Sequence, residues 1–363
     1  MKNKFSFLLA AAALLLFING CKHSESTENS VTVSPEAGTS YKSGDQVVVK
    51  AHFPNDLKPD SVVYLLDSVK VGSAKDSSAI TLKTDSMHLG ARIITAKVYQ
   101  GGKSQEGSTN IVLLPAKAPA LYTYNVIKTF PHDTGSFTEG LVYQDGFLYE
   151  SGGGYLKPPK DQEVTSQSSL RKVDLATGKV LKKVMLDSAV FGEGISIVGD
   201  KIIQLTYHEK VGYVYDKATF KKLSTFVNNI GVEGWGMCFD GTKLYMDDST
   251  NRIWFLDKDT YKQIGFIDVY DDKGPVNSIN ELEYIDGKLY ANIWQTNFIV
   301  VIDPKTGAVL EKIDLTNLYP EDKRSPGADV LNGIAYDAAG KRIFITGKKW
   351  PTLYQVEFRP LAP

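Results

Sequence analysis

One hairpin pattern recurs five times along this chain and limits what the chain can fold into. The copies read EGLVYQDGFLYESGG from Glu139, FGEGISIVGDKIIQLTY over residues 191–207, EGWGMCFDGTKLYMDD from Glu233, NELEYIDGKLYANIW from Asn280 and NGIAYDAAGKRIFITGK from Asn332. Each pairs a short apolar strand, headed by Glu or Asn, with a second strand across a tight turn rich in Gly and Asp. The heads fall at residues 139, 193, 233, 280 and 332, at intervals of 40 to 54 residues. A period of this length with several short strands per unit is the signature of a β-propeller. An Asp-x-x-Thr pattern follows the third strand at Asp174, Asp216, Asp257 and Asp303. An Asp before a turn bonds its own backbone two residues on, so this repeated motif is read as structural. The last unit stops after its third strand, residues 353–358, and residues 122–130 lie just ahead of the first unit. That early segment is expected to supply the missing outer strand and close the ring, which removes exposed edges. The fold class expected is therefore all-β, a five-bladed β-propeller over residues 120–363.

Ahead of it, residues 31–115 hold short alternating segments such as DQVVVKAHF, DSVVYLLD and ARIITAKVY, separated by turn residues. This predicts a small immunoglobulin-like β-sandwich serving as a spacer or docking module. Residues 1–20 carry Lys2 and Lys4 and then an apolar run over 5–18, too short for a stable spanning helix and typical of an export signal. The run ends Ile18-Asn19-Gly20-Cys21, which resembles a bacterial lipobox with Cys21 as the lipidated residue. Residues 21–30 then read as a polar tether. The expectation is an exported bacterial lipoprotein, held at a membrane through Cys21 and facing the periplasm or the cell surface. Only Cys238 accompanies Cys21, so no disulfide framework or CxxC-type metal site exists, and Cys238 reads as a small core residue. A formal net charge of −1 gives no electrostatic case for nucleic acid.

In a propeller the first strand of each blade lines the central channel. The heads Glu139, Glu193, Glu233, Asn280 with Glu281, and Asn332 are therefore expected near one mouth. Clustered acids repel and raise one another's pKa, so a ring of them suggests a cation, an amine substrate or acid–base work. Trp235, Trp294 and Trp350 are expected to wall the same mouth, as suits an apolar-and-amide ligand, while Trp254 is assigned to packing. His132-Asp133 near Ser136 does not make a triad, because adjacent residues on extended backbone do not point at one another and no nucleophile elbow is present. A turn-stabilising role is assigned to it instead.

Taken together, FPHDTGSFTEGLVY, FGEGISI, QLTY, GWGM, NELEYIDGKLYANIWQT, IDPKTG, VLNGIAYD and TGKKWP resemble the glutaminyl cyclase family of plants and bacteria, the glutamine cyclotransferase type. The resemblance runs from about residue 122 to 358 and leaves out the N-terminal module. It implies a five-bladed propeller that converts N-terminal glutamine of peptides or proteins to pyroglutamate with release of ammonia and without a catalytic zinc. It places the essential glutamate at Glu193 and a substrate pocket at Phe137, Tyr207, Trp235, Trp294, Asn280 and Lys348. This chain departs from the family pattern where FTQG reads Phe137-Thr138-Glu139-Gly140, where QLTW ends in Tyr207, and in a longer segment over 155–167. Substrate preference is where those departures are expected to tell.

In the mechanism this reading supports, Glu193 takes the α-amine proton and returns it to the departing ammonia. Lys348 or the Asn280 amide stabilises the oxyanion, Glu139 and Glu281 hold the α-ammonium, and Trp235 and Trp294 exclude water. No cofactor is required for this chemistry, though the channel leaves room for a structural cation. Two rivals stand beside it: a non-enzymatic lipid-anchored propeller that binds peptides or glycans, and a lactonase-like hydrolase using a central cation.

Overall fold

A computed structural model describes residues 30–160, 162–163 and 165–361. The expected export signal, Cys21 and all but the last residue of the expected tether lie outside them.

Residues 120–360 form five four-stranded blades around an axis, antiparallel within each blade. Blade 1 is Thr138–Gln144, Phe147–Gly152, Ser169–Asp174 and Val180–Met185. Blade 2 is Gly192–Val198, Lys201–Thr206, Val211–Asp216 and Lys222–Val227, and blade 3 is Met237–Phe239, Lys243–Asp247, Arg252–Asp257 and Gln263–Asp268. Blade 4 is Ile279–Ile285, Lys288–Ile293, Phe298–Ile302 and Val309–Asp314. Blade 5 takes Leu331–Asp337, Arg342–Gly347 and Thr352–Pro360 from the end of the chain, and Ala120–Pro131 from ahead of blade 1. The closing strand runs antiparallel to Thr352–Pro360, from Thr352↔Pro131 to Pro360↔Tyr122, as the truncated last repeat requires. Its first residues also pair parallel with blade 4, Glu311↔Ala120 to Ile313↔Tyr122, which fuses blades 4 and 5 into one eight-stranded sheet. Nothing in the repeat announces that second pairing.

The cores lie between blades. Tyr149 and Leu170 of blade 1 pack on Ile195, Ile202 and Tyr213 of blade 2. Leu141, Leu148 and Val173 of blade 1 meet Ala335, Phe344 and Leu353 of blade 5 across the closing seam. Each such side chain contributes roughly 1.5–3 kcal/mol by leaving water. The repeated Asp turns are structural: Asp174 Oδ1 accepts the Thr177 N–H at 2.9 Å and its hydroxyl at 2.6 Å, and Asp257 does the same for Thr260 at 2.8 and 2.7 Å.

The N-terminal module is two packed sheets. One orders Thr32–Ser34, Gln46–His52 and Ile80–Lys83; the other orders Thr39–Lys42, Lys103–Leu114, Gly90–Gln100, Ser61–Leu66 and Val69–Ala74. Val47, Val49, Tyr64, Ile94, Ala96 and Ile111 fill the space between them. Thr32–Ser34, Thr39–Lys42 and Val69–Ala74 escape the sequence pattern, because short polar strands carry little alternation to read.

Candidate active site

Hydrogen-bond register breaks at the head of four inner strands: between Thr138 and Gly140, Gly192 and Ile195, Ile279 and Leu282, and Leu331 and Ile334. A bulge of this kind re-aims a side chain that regular alternation would commit to one face. Glu139, Glu193, Asn280 with Glu281, and Asn332 all sit in these irregularities. Blade 3 is different. Trp235-Gly236-Met237 takes the place that Glu193-Gly194-Ile195 holds in blade 2, since a Cβ on Gly194 would collide with the Trp235 carbonyl and one on Gly236 with the Asn280 carbonyl. Glu233 therefore does not head its strand; it lies 3.6 Å from His208 with its side chain 18 % exposed.

A cavity of about 270 Å³ opens at this mouth, lined by Phe137, Glu139, Glu193, Tyr207, Trp235, Asn280, Trp294 and Lys348. Phe191, Gln162, Gln295, Asp329 and Val330 complete it; Gln162 belongs to the longer segment over 155–167, read as a loop at the mouth, and the other four were not singled out from the sequence. Phe191 directly precedes the Glu193 bulge, and Asp329-Val330 lead into the inner strand of blade 5, so adjacency to the heads was the available signal. The Trp235 and Trp294 rings meet edge to face at 5.6 Å, and Phe137 stands edge-on to Phe191 at 6.2 Å.

The charges are arranged unequally. Lys348 Nζ donates to Glu139 Oε1 at 2.7 Å, with the two side chains 6 % and 3 % exposed, and sits 4.6 Å over the Phe137 ring. Asn332 Nδ2 donates to Glu139 Oε2 at 3.2 Å. Burial raises the Glu139 carboxyl and Lys348 offsets part of that rise. Glu193 takes no hydrogen bond from the described residues; burial first, and then the charge of Glu139, push its carboxyl well above the usual 4.5. The Lys348 cation favours the charged form of Glu139, whereas Glu193 has no such partner and its neutral form is favoured by burial and by the charge of Glu139. Two cavity-lining side chains also hold buried polar atoms without partners, Trp235 Nε1 and Asn280 Oδ1.

Several expectations need correction. Lys348 and Glu139 are joined as an ion pair, so they enter the cavity together rather than as the separate oxyanion donor and ammonium holder expected, and an ammonium with three N–H groups keeps donors beyond that pair. Glu281 does not line the cavity: its Oε1 accepts the Leu141 N–H at 3.1 Å and its Oε2 the Ile334 N–H at 2.8 Å. Glu283 Oε1 accepts Tyr336 N–H at 2.9 Å and Asp247 Oδ2 accepts Gly236 N–H at 3.1 Å. Inner strands leave one edge unpaired toward the channel, and these acids satisfy it, so axial carboxylates do have a structural use. Among the described residues no three His, Cys, Asp or Glu side chains are grouped as a metal site. Trp350 is 1 % exposed, donates to the Asp329 carbonyl at 2.8 Å and packs on Tyr319, away from the cavity. Trp254 packs as expected, its indole bonded to Asp248 at 2.9 Å.

The sequence profile of glutamine cyclotransferase matches residues 94–358. The chain belongs to the glutamine cyclotransferase family. Over 237 residues it is 38 % identical to the glutaminyl-peptide cyclotransferase of Arabidopsis thaliana, covering 64 % of this chain and 71 % of the relative. It is also similar to the crystal structure of Myxococcus xanthus glutaminyl cyclase, with TM-score 0.59 and 32 % identity over 67 % of this chain and 100 % of the other. The family match begins at residue 94, inside the strand Gly90–Gln100 of the sandwich and ahead of the expected start near 122.

Proposed function

We propose that the chain is a glutaminyl-peptide cyclotransferase, converting N-terminal glutamine of peptides or proteins to pyroglutamate with release of ammonia. Membership of the family supports this, and the observation that carries it is Glu193: a buried carboxyl with no hydrogen bond from the described residues, pushed up by burial and by the charge of Glu139, in a cavity it shares with the Lys348–Glu139 ion pair. The substrate's α-nitrogen attacks its own side-chain amide carbon; a C–N bond forms, a C–N bond breaks and ammonia leaves. Ring closure supplies proximity from within the substrate. What remains is proton transfer. An α-ammonium has a pKa of about 8. A carboxylate left at 4.5 would accept its proton with a penalty of roughly 5 kcal/mol, at 1.36 kcal/mol per unit. Raising the Glu193 pKa lowers that penalty and lets the same group return the proton to the departing nitrogen.

The carboxamide fits the two unpartnered atoms. Trp235 Nε1–H is a donor for the amide oxygen as it gains negative charge, and Asn280 Oδ1 is an acceptor for the amide N–H. Lys348, fixed by Glu139, contributes positive potential. The route uses no cofactor. The decisive assay is mass-spectrometric loss of ammonia from a glutaminyl dipeptide. Glu193→Gln is expected to lower kcat by about 10²–10⁴, and chelator treatment to leave it unchanged. A folded wild-type protein that binds such peptides without releasing ammonia would favour the non-enzymatic binding module, and loss of activity on chelation the cation-dependent hydrolase.

We further propose that residues 1–20 export the protein and that Cys21 carries the lipid, with the N-terminal sandwich as an immunoglobulin-like spacer on the outer side of a membrane; the support is the sequence pattern. Cys21→Ser is expected to move the protein from the detergent fraction to the soluble fraction and to abolish labelling by a fatty-acid probe.

A further inference from the structure

His132 directly follows the closing strand of blade 5 and is not among the residues that line the cavity. Nε2 is 2.9 Å from Glu150 Oε1, on the second strand of blade 1, and Nδ1 is 2.7 Å from the Trp350 carbonyl oxygen, at the end of blade 5. Carboxylate and carbonyl oxygens only accept here. A neutral imidazole has one N–H, so one nitrogen would face an acceptor with its lone pair; the imidazolium has two and satisfies both. The side chains of His132 and Glu150 are 4 % and 2 % exposed, so each charge depends on the other.

What the pair joins bears on the site. Glu150 Oε1 also accepts the Thr138 hydroxyl at 2.8 Å, one residue before Glu139 and one after Phe137. Trp350 lies two residues beyond Lys348, and the Lys349 N–H donates to the Ser136 carbonyl at 2.7 Å. One imidazolium thus grips the two segments that supply Lys348 and Glu139, across the seam where the ring closes. We propose that His132 is a positioning residue for the cyclisation, setting the Lys348–Glu139 pair in register by donating both ring N–H groups to blades 1 and 5. This rests on the cyclotransferase reading of the cavity.

The charged groups facing the ring are Glu150 and Asp133, with Arg171 bonded to Asp133 at 2.9 Å and Lys183 behind them. Burial alone would lower the His132 pKa; the charge of Glu150 and the bonds to Glu150 and Trp350 more than reverse this. Burial likewise pushes Glu150 up, and His132 and Arg171 bring it down to about 2. For a histidine raised in this way the grip is complete below its unfolded pKa near 6.5 and is lost as pH rises through the folded value.

The test combines kinetics with the ring state itself. In wild-type protein, nitrogen-15 NMR at pH 6.5, where a free imidazole is about half protonated, should show His132 mainly with two protonated ring nitrogens. His132→Gln should lower kcat about 10- to 100-fold, the scale of a small misplacement, leave KM within about 3-fold, and lose the alkaline limb of the kcat profile that the wild type shows. Glu150→Gln should lower kcat in the same direction and stands in where His132→Gln does not fold. A ring mainly singly protonated at pH 6.5, or either folded variant with wild-type kcat and an unchanged alkaline limb, overturns the proposal. Absence of ammonia release from the wild type would instead refute the cyclotransferase reading, and the NMR result would still report whether His132 is doubly protonated.

Discussion

Glu139 and Glu193 are the same residue type at the same position of consecutive repeats, yet they do different work. Glu139 meets Lys348 and the Asn332 amide, whereas Glu193 meets the cavity. Charge on the first sets the proton affinity of the second. Glu139→Gln takes a negative charge from beside Glu193 and leaves Lys348 without its partner, so the Glu193 pKa must fall. The acid limb of kcat/KM, measured between pH 5 and 9 by ammonia release, is expected to move to lower pH. Proton transfer from the α-ammonium then becomes harder, and kcat should drop by about 10-fold per unit lost, at 1.36 kcal/mol each. An acid limb that stays in place or moves upward would refute the coupling.

At the scale of the strand, the bulges and the channel acids belong together. A bulge frees one side chain from alternation, and the inner edge it interrupts presents unpaired N–H groups toward the axis. Glu281 answers two of them, from blades 1 and 5, while it sits on blade 4. Glutamine has the same shape but only one accepting oxygen, so its amide would set a donor against a donor. Glu281→Gln is expected to cost about 1–3 kcal/mol of stability, the usual cost of an unsatisfied buried group. Thermal melting would show it, while KM for a glutaminyl peptide should not change. A variant that melts like the wild type but loses substrate affinity would return Glu281 to the substrate site.

For the whole molecule, the closing strand carries the architecture. Ala120–Pro131 pairs on both sides, with Thr352–Pro360 and with Val309–Asp314, while the sandwich contributes no residue to the cavity. A chain beginning at residue 120 is therefore expected to fold and to keep its turnover within about 3-fold. A chain beginning at residue 132 lacks the strand, exposes the edge of Thr352–Pro360 and should aggregate or melt without cooperativity. Circular dichroism melts and ammonia release on the two truncations separate these outcomes. Equal folding of both would mean that the seam holds without the strand.

The sequence by itself determined the five hairpins, the Asp–Thr turns, the strand borrowed from ahead of blade 1 and most of the cavity wall. The hairpins, turns and borrowed strand follow from local chemistry, because turn residues and alternation act over a few residues in any context; the cavity wall follows from the resemblance of the motifs to the glutamine cyclotransferase family. Only the tertiary structure decided that Trp235 rather than Glu233 takes the axial position, because the register of blade 3 depends on the backbone of its neighbours. The same holds for Glu281, which a bulge and two unpaired N–H groups turn toward the channel. Lys348 and Glu139 are 209 residues apart in the chain, and closing the ring brings them to 2.7 Å. Their pairing, and with it the raised proton affinity of Glu193, depends on burial and on charges that meet only when the first and last blades do.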